Sequence, residues 1–463
     1  MPGPVSVSGR GRRSLLGGLG ALAASAALAR PAAARLFTVE PRRVESFHLP
    51  NGLQVVVLPS SRAPIVSQTV VYKVGSADEV PGKTGIAHFL EHLMFKGTDS
   101  VGAGEFSRIV SKNGGRDNAY TSFDSTGYYQ TVAPDRLELV MAMESDRMVN
   151  LRLDEKEIAP EREVVLEERR MRIENSPGAL LDEAVHERLF GRNQPYGMPI
   201  SGFPDDIRGL TLADLRAFYE RHYAPDNAVL IVAGDTTADT VAALAAKHYG
   251  PLPRRAIAAR TRPDHGAGDL PQSVTRADPR VAEPGWGRNY LAPSYRRGDT
   301  RHAYALQVLA RLLGGGETAR LWRPLVEEAK IALSVGASYS PASLGLTVFE
   351  IGVHPAPGVD FAVIEKAIDV ELGRILDDGV AAEELERAQN RLLAGAIYAQ
   401  DSLASGPRQY GSLLAIDVPL AEIEAWPKRI AAVTPGDVVA AARAVWTAKG
   451  LVTATLTAPP AIR

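Results

Sequence analysis

Two histidines and a glutamate stand close together in the segment His88-Phe89-Leu90-Glu91-His92. His88 and His92 are four residues apart, so on a helix they lie one above the other on the same face. Glu91 is three residues from His88 and adjacent to His92, so it flanks that face. Two neutral imidazoles at this spacing can grip one tetrahedral cation such as Zn2+. A glutamate beside them can take a proton from water activated by that cation.

The surroundings of the segment strengthen this reading. Ile86, Phe89, Leu90, Leu93, Met94 and Phe95 make the stretch apolar around most of a helix, expected from about Lys83 to Lys96 and stopped by Gly97. Burying two histidines and a glutamate without a partner is costly, and a metal removes that cost. The competing reading, a surface ion-pair cluster, needs a polar helix, which this is not. The order His-x-x-Glu-His is the inverted form of the His-Glu-x-x-His zinc peptidase motif.

A catalytic zinc needs a third protein ligand and one open position. The run Glu161-Arg162-Glu163-Val164-Val165-Leu166-Glu167-Glu168-Arg169-Arg170 is the candidate source. Glu161 and Glu168 are seven apart, two helical turns, and share a face. Most of the run reads as a charged helix, from Pro160 to about Ile173, laced with Glu–Arg pairs. Spacing alone does not choose among its four glutamates. The chain has no cysteine, so histidine and carboxylate must supply every ligand.

The elements that would carry these residues follow from length and pattern. A chain of 463 residues, 45% hydrophobic and 23% charged, has the balance of a globular protein with at least two domains. A formal net charge of -2 gives no basic field, which argues against nucleic acid as a partner. Arg10, Arg12 and Arg13 precede an apolar run from Leu15 to Ala29, and Ala32-Ala33-Ala34 offers a cleavage site. This order reads as an export signal over 1–34, of twin-arginine type at Arg12-Arg13. It implies a periplasmic or secreted protein rather than a mitochondrial one. No later segment is long and apolar enough for a transmembrane helix.

Leu53 to Leu58, Ile65 to Val74 and Gly127 to Val132 read as strands, mixed with helices without regular alternation. That pattern predicts an α+β fold with largely antiparallel sheets. Thr211 caps a helix that leads into the apolar strand Asn227 to Asp235, and Thr434 caps another that leads into Leu451 to Leu456. The matched ends predict two homologous domains, each a sheet packed with helices. We place them at 35–255 and 285–463, joined by a Pro/Arg/Gly-rich linker over 256–284.

The motif, the Glu-Arg-x-x-Val-x-x-Glu pattern and the two-fold organisation resemble the insulinase/pitrilysin family of zinc peptidases. In particular they resemble its subfamily of half-length bacterial members and mitochondrial processing peptidase subunits. The resemblance extends through Asn51-Gly52-Leu53, Gly114-Gly115-Arg116-Asp117-Asn118-Ala119-Tyr120-Thr121 and Tyr223-Ala224-Pro225-Asp226-Asn227. It implies His88, His92 and Glu168 as ligands of one zinc, Glu91 as general base and Glu161 as a supporting residue important for activity. It further implies that the extended segment from Asn118 to Phe123 receives a peptide substrate as an added strand, with Asn118 and Ala119 in contact. Such a site favours extended peptides over folded ones.

One departure from the family pattern bears on partners. Leu313-Gly314-Gly315-Gly316-Glu317 looks like the family's Gly-rich turn, and it lacks the Gly-Lys-Ser/Thr ending of a phosphate loop. Members that bind substrate with the second half carry an arginine and a tyrosine seven residues apart just beyond. Val326 and Leu333 stand at the matching positions here. An apolar pair cannot stabilise an oxyanion. The expectation is a heterodimer in which a homologous subunit supplies the arginine and tyrosine, each chain forming half of a clam-shaped chamber. The other readings are a catalytically silent assembly subunit and a metal-binding module without hydrolytic activity.

Overall fold

The structure is a computed structural model that describes residues 36–40, 42–263, 272–403, 405–448 and 450–459. The expected export signal at 1–34 lies outside the described residues. Leu36–Arg463 form one compact unit.

Two sheets carry the fold. The first contains β1 (Glu45–His48), β2 (Gln54–Pro59), β3 (Val66–Tyr72), β4 (Arg116–Thr121), β5 (Thr126–Val132) and β6 (Ala228–Gly234), in the order β1-β2-β6-β3-β5-β4. The second contains β7 (Gln272–Ala277), β8 (Gly285–Ala292), β9 (Ala332–Tyr339), β10 (Thr347–Pro355) and β11 (Leu451–Thr457), in the order β7-β11-β8-β10-β9. Each sheet has a single parallel pair, β2 with β6 and β7 with β11, and is otherwise antiparallel. Apart from the extra β1, the two orders superimpose strand for strand. This is the α+β duplication read from the matched ends. The Pro/Arg/Gly-rich stretch also contains β7, whose side chains alternate between half-buried and exposed.

The central strands β3 and β6 are buried on both faces, as the unbroken apolar run of β6 requires, and within β3 the buried Gln68 amide donates to Gln130 Oε1 at 2.9 Å. Val55, Val57, Val70, Leu230 and Val232 face one core, while Val56, Leu58, Val71, Val229 and Ile231 face another. Each such side chain removed from water stabilises the fold by roughly 1.5–3 kcal/mol. The helix that covers the second of these faces comes from the other half of the chain. Tyr410, Leu413 and Leu414 of Ser405–Ala415 pack there, and Gly411 allows the approach. A Cβ at Gly411 would stand 2.7 Å from Val71 Cγ2. The exchange is mutual, because Leu181, Val185 and Leu189 of Pro177–Phe190 pack on Leu291, Val452 and Ala454 of the second sheet.

β4 is an edge strand of the first sheet. The turn after it is held from several directions. Asp124 accepts hydrogen bonds from Arg262 Nη2 at 2.8 Å, Tyr196 Oη at 3.0 Å and the Leu344 amide at 3.0 Å. Arg262 also pairs with Asp78 at 2.8 Å. The segment after the first half thereby fixes the end of β4. No described helix is long and apolar enough to cross a membrane.

Candidate active site

The motif helix runs Ile86–Leu93, shorter at both ends than the pattern predicts, since it stops at Leu93 and not at Lys96 before Gly97. Gly85 precedes it with φ of 85°, a left-handed conformation that ends any helix extending back to Lys83. No capping side chain comes from Gly85. Instead the buried Glu79 carboxylate accepts from the amides of Gly85 at 2.8 Å and Ala87 at 2.9 Å, satisfying donors that open a helix. Burial pushes the Glu79 carboxyl up, and these two bonds pull against that shift. Ile86, Phe89, Leu90 and Leu93 anchor the helix in the core.

The glutamate helix runs Glu155–Arg169 and packs against the motif helix. Asp154 caps it by accepting from the Lys156 amide, so Pro160 lies inside the helix and not at its start. Continuation through the turn Arg170–Glu174 brings Glu161, Glu168 and Arg172 along one side of the site.

His88 Nε2 lies 3.8 Å from Glu168 Oε2, and His92 Nε2 lies 3.0 Å from the same oxygen. The two rings meet edge to face with centroids 4.8 Å apart. One donor atom from each of the three residues falls within 4.8 Å of the others. Donors around a tetrahedral zinc with bonds of roughly 2.0–2.1 Å stand roughly 3.3 Å apart, so this set fits the ion. Among the described residues it is the one such group of histidine and carboxylate.

Glu161 Oε1 stands 2.9 Å from His92 Nδ1, and its other oxygen pairs with Lys96 at 2.5 Å. A proton on Nδ1 leaves the His92 Nε2 lone pair directed at the donor cluster. Burial opposes charge on His92, but the Glu161 hydrogen bond and the charges of Glu168, Glu161 and Glu91 outweigh it and raise its pKa. Burial likewise opposes charge on Glu161, yet its bonds to His92 and Lys96 hold its carboxyl below the ordinary value. His88 is pushed down to about 4, by burial first and by His92 second. The neutral imidazole that results is the form that binds metal. Arg172 pairs with the outer oxygen of Glu168.

Glu91 faces the same space, and its Oε2 accepts from Thr121 Oγ1 at 2.6 Å. Burial raises the Glu91 carboxyl while the Thr121 bond works against it. Asn118 and Ala119 line the same cavity of about 720 Å³, together with His88, Glu91, His92, Glu161 and Glu168. Phe95, Phe123, Ile173 and Met198 supply apolar wall. Behind Phe95 lies the fully buried Arg147, paired with Glu144 at 2.6 Å and stacked 5.0 Å from the Phe95 ring centre. The Ala119 amide is bonded to Asn118 Oδ1 at 2.8 Å and not to β5, so it points to the open edge.

All seven residues named from sequence therefore meet in one cavity. Val326 and Leu333 are not among the residues that line it. Val326 lies in the turn Arg323–Glu328 against the hydrophobic core of the second sheet, and Leu333 is exposed on β9. Thr121, Lys96, Arg172 and Arg147 escaped the sequence reading. Thr121 ends the run Asn118-Ala119-Tyr120-Thr121, and Lys96 lies four residues beyond His92. Neither position names its partner until the two elements are brought together.

The sequence profile described as Insulinase (Peptidase family M16) matches residues 55–202, and that of the Peptidase M16 inactive domain matches 209–392. The chain belongs to the insulinase family. Among its insulinase-family relatives, the zinc protease PqqE of Helicobacter pylori is 35% identical over 348 residues, covering 74% of this chain and 77% of that protein. An uncharacterized zinc protease of Mycobacterium leprae, ML0855, is 32% identical over 390 residues, covering 81% and 85%. The crystal structure of a protease from Helicobacter pylori aligns with a TM-score of 0.82 and 30% identity, over 90% of this chain and all of that one. The first half of the periplasmic protease PqqL from Escherichia coli shares the fold, with a TM-score of 0.74 and 22% identity over 91% and 93%.

Proposed function

We propose that the chain is a zinc metalloendopeptidase acting on extended peptides. The observation that carries this reading is the convergence of His88, His92 and Glu168 beside Glu91, in the cavity that also exposes the edge of β4. His88, His92 and Glu168 hold the ion. When bound, zinc polarises a carbonyl and lowers the pKa of water. Glu91 takes the proton of the attacking water and returns it to the leaving amine. The free edge at Asn118 and Ala119 receives the substrate backbone as an added strand, which selects unfolded peptides. Glu161 orients His92.

The apolar Val326 and Leu333 support a heterodimer in which this chain is the catalytic subunit. A homologous chain would supply the arginine and tyrosine and close the chamber. The leader over 1–34 and the periplasmic relative support a periplasmic or secreted location. The test is hydrolysis of an unfolded polypeptide by the zinc-loaded chain, alone and co-expressed with a homologous half-length chain. Turnover that needs the second chain is expected. Full turnover by the chain alone overturns the heterodimer, and no turnover in either sample, with zinc bound, overturns the peptidase reading.

A further inference from the structure

We infer that Thr121 is a positioning residue that aims the general base Glu91 from the strand receiving the substrate; this rests on the peptidase reading above. Glu91 is a long side chain near the end of a short helix, and it must be held to act as a base. Among the described residues Thr121 is the one side chain seen to donate to it, at 2.6 Å to Oε2. The other carboxylate oxygen is left free to take a proton. Threonine suits this task because its branched Cβ restricts rotation about χ1.

The location of Thr121 gives the contact its meaning. Thr121 closes β4, in register with Thr126 of β5. The Ala119 amide faces the open edge, and alternation along a strand gives Thr121, two residues on, the same outward backbone. A substrate strand added to β4 therefore lies against the backbone of the residue whose side chain holds the base. The turn that follows is fixed by Ser122 N–H to Ser125 O at 2.8 Å and by Asp124 to Arg262 at 2.8 Å. The Thr121 hydroxyl is thus carried on a hairpin held at its tip, and not on a free end.

The experiment compares Thr121→Val, which keeps the shape and loses the donor, with Thr121→Ser, which keeps the donor. Zinc content and a crystal structure of each zinc-loaded variant are read, together with steady-state hydrolysis of an extended peptide by each variant paired with the homologous chain. Thr121→Val is expected to lower kcat about ten- to a hundredfold, since a misplaced base forfeits much of its effect. KM and zinc content should stay unchanged, and Thr121→Ser should recover kcat to within about threefold of the parent on the same grounds. In crystals, Glu91 should leave its position in Thr121→Val while His88, His92 and Glu168 stay in place. An unchanged kcat in Thr121→Val, or a Thr121→Ser as slow as Thr121→Val, overturns the inference. So does an unmoved Glu91 in Thr121→Val crystals, whether or not the chain turns over alone. A parent enzyme without activity in any pairing would overturn the peptidase reading instead.

Discussion

Glu161 stands between His92 Nδ1 and Lys96 Nζ and touches both. It is half of a relay that fixes the imidazole tautomer, and Lys96 balances its charge. Loss of such a support typically costs a metal site about ten- to a hundredfold in affinity. Glu161→Ala should therefore weaken zinc binding by about that factor without unfolding the chain, as measured by chelator competition. Zinc affinity equal to the parent would leave Glu161 without this role. The spacing of His88, Glu91 and His92 is local to one helix, so sequence alone showed it. Glu168 was legible only with the family pattern, because four glutamates share the run and their order does not say which faces His92. Thr121 was not legible, since its partner lies across a strand-to-helix contact.

The motif helix is two turns long, and its first amides depend on Glu79 from outside it. A side chain that satisfies two buried donors leaves both unpaired when removed, at a cost of roughly 1–3 kcal/mol for each. Glu79→Ala should lower stability by about the sum of the two in urea unfolding, and zinc should dissociate faster because His88 lies one turn from the loosened end. Unfolding at the parent midpoint, with unchanged zinc release, would count against this. Apolar periodicity revealed the helix, but not its start. Gly85 reads as permissive in sequence, and only its left-handed backbone shows that the chain turns there. Pro160 misled in the opposite direction, because the Asp154 cap begins the glutamate helix earlier and admits the proline inside it.

The exchange of helices between halves joins the two sheets into one body, and Arg262 is a rivet of that junction. It is buried, with Asp78 and Asp124 each at 2.8 Å. Removing one partner from a buried ion pair leaves uncompensated charge and costs roughly 3–5 kcal/mol. Arg262→Met should lose about that much stability, read from thermal or urea unfolding, with a greater loss than Arg62→Met at the exposed pair with Asp401. Equal losses would deny the junction its importance. The duplicated strand order could be anticipated from the two Thr-capped helices and the strands that follow them. The helix exchange could not, because Ser405–Ala415 meets Val71 across more than three hundred residues, and its apolar face looks the same whichever sheet it covers.

The central claim is that His88, His92 and Glu168 hold zinc while Glu91 does the proton transfer. It is tested most directly by measuring zinc content and peptide hydrolysis together in Glu91→Gln and its parent, each paired with the homologous chain. The account predicts one zinc in both and turnover lowered at least about a hundredfold in Glu91→Gln. Turnover near the parent rate with zinc retained would contradict it.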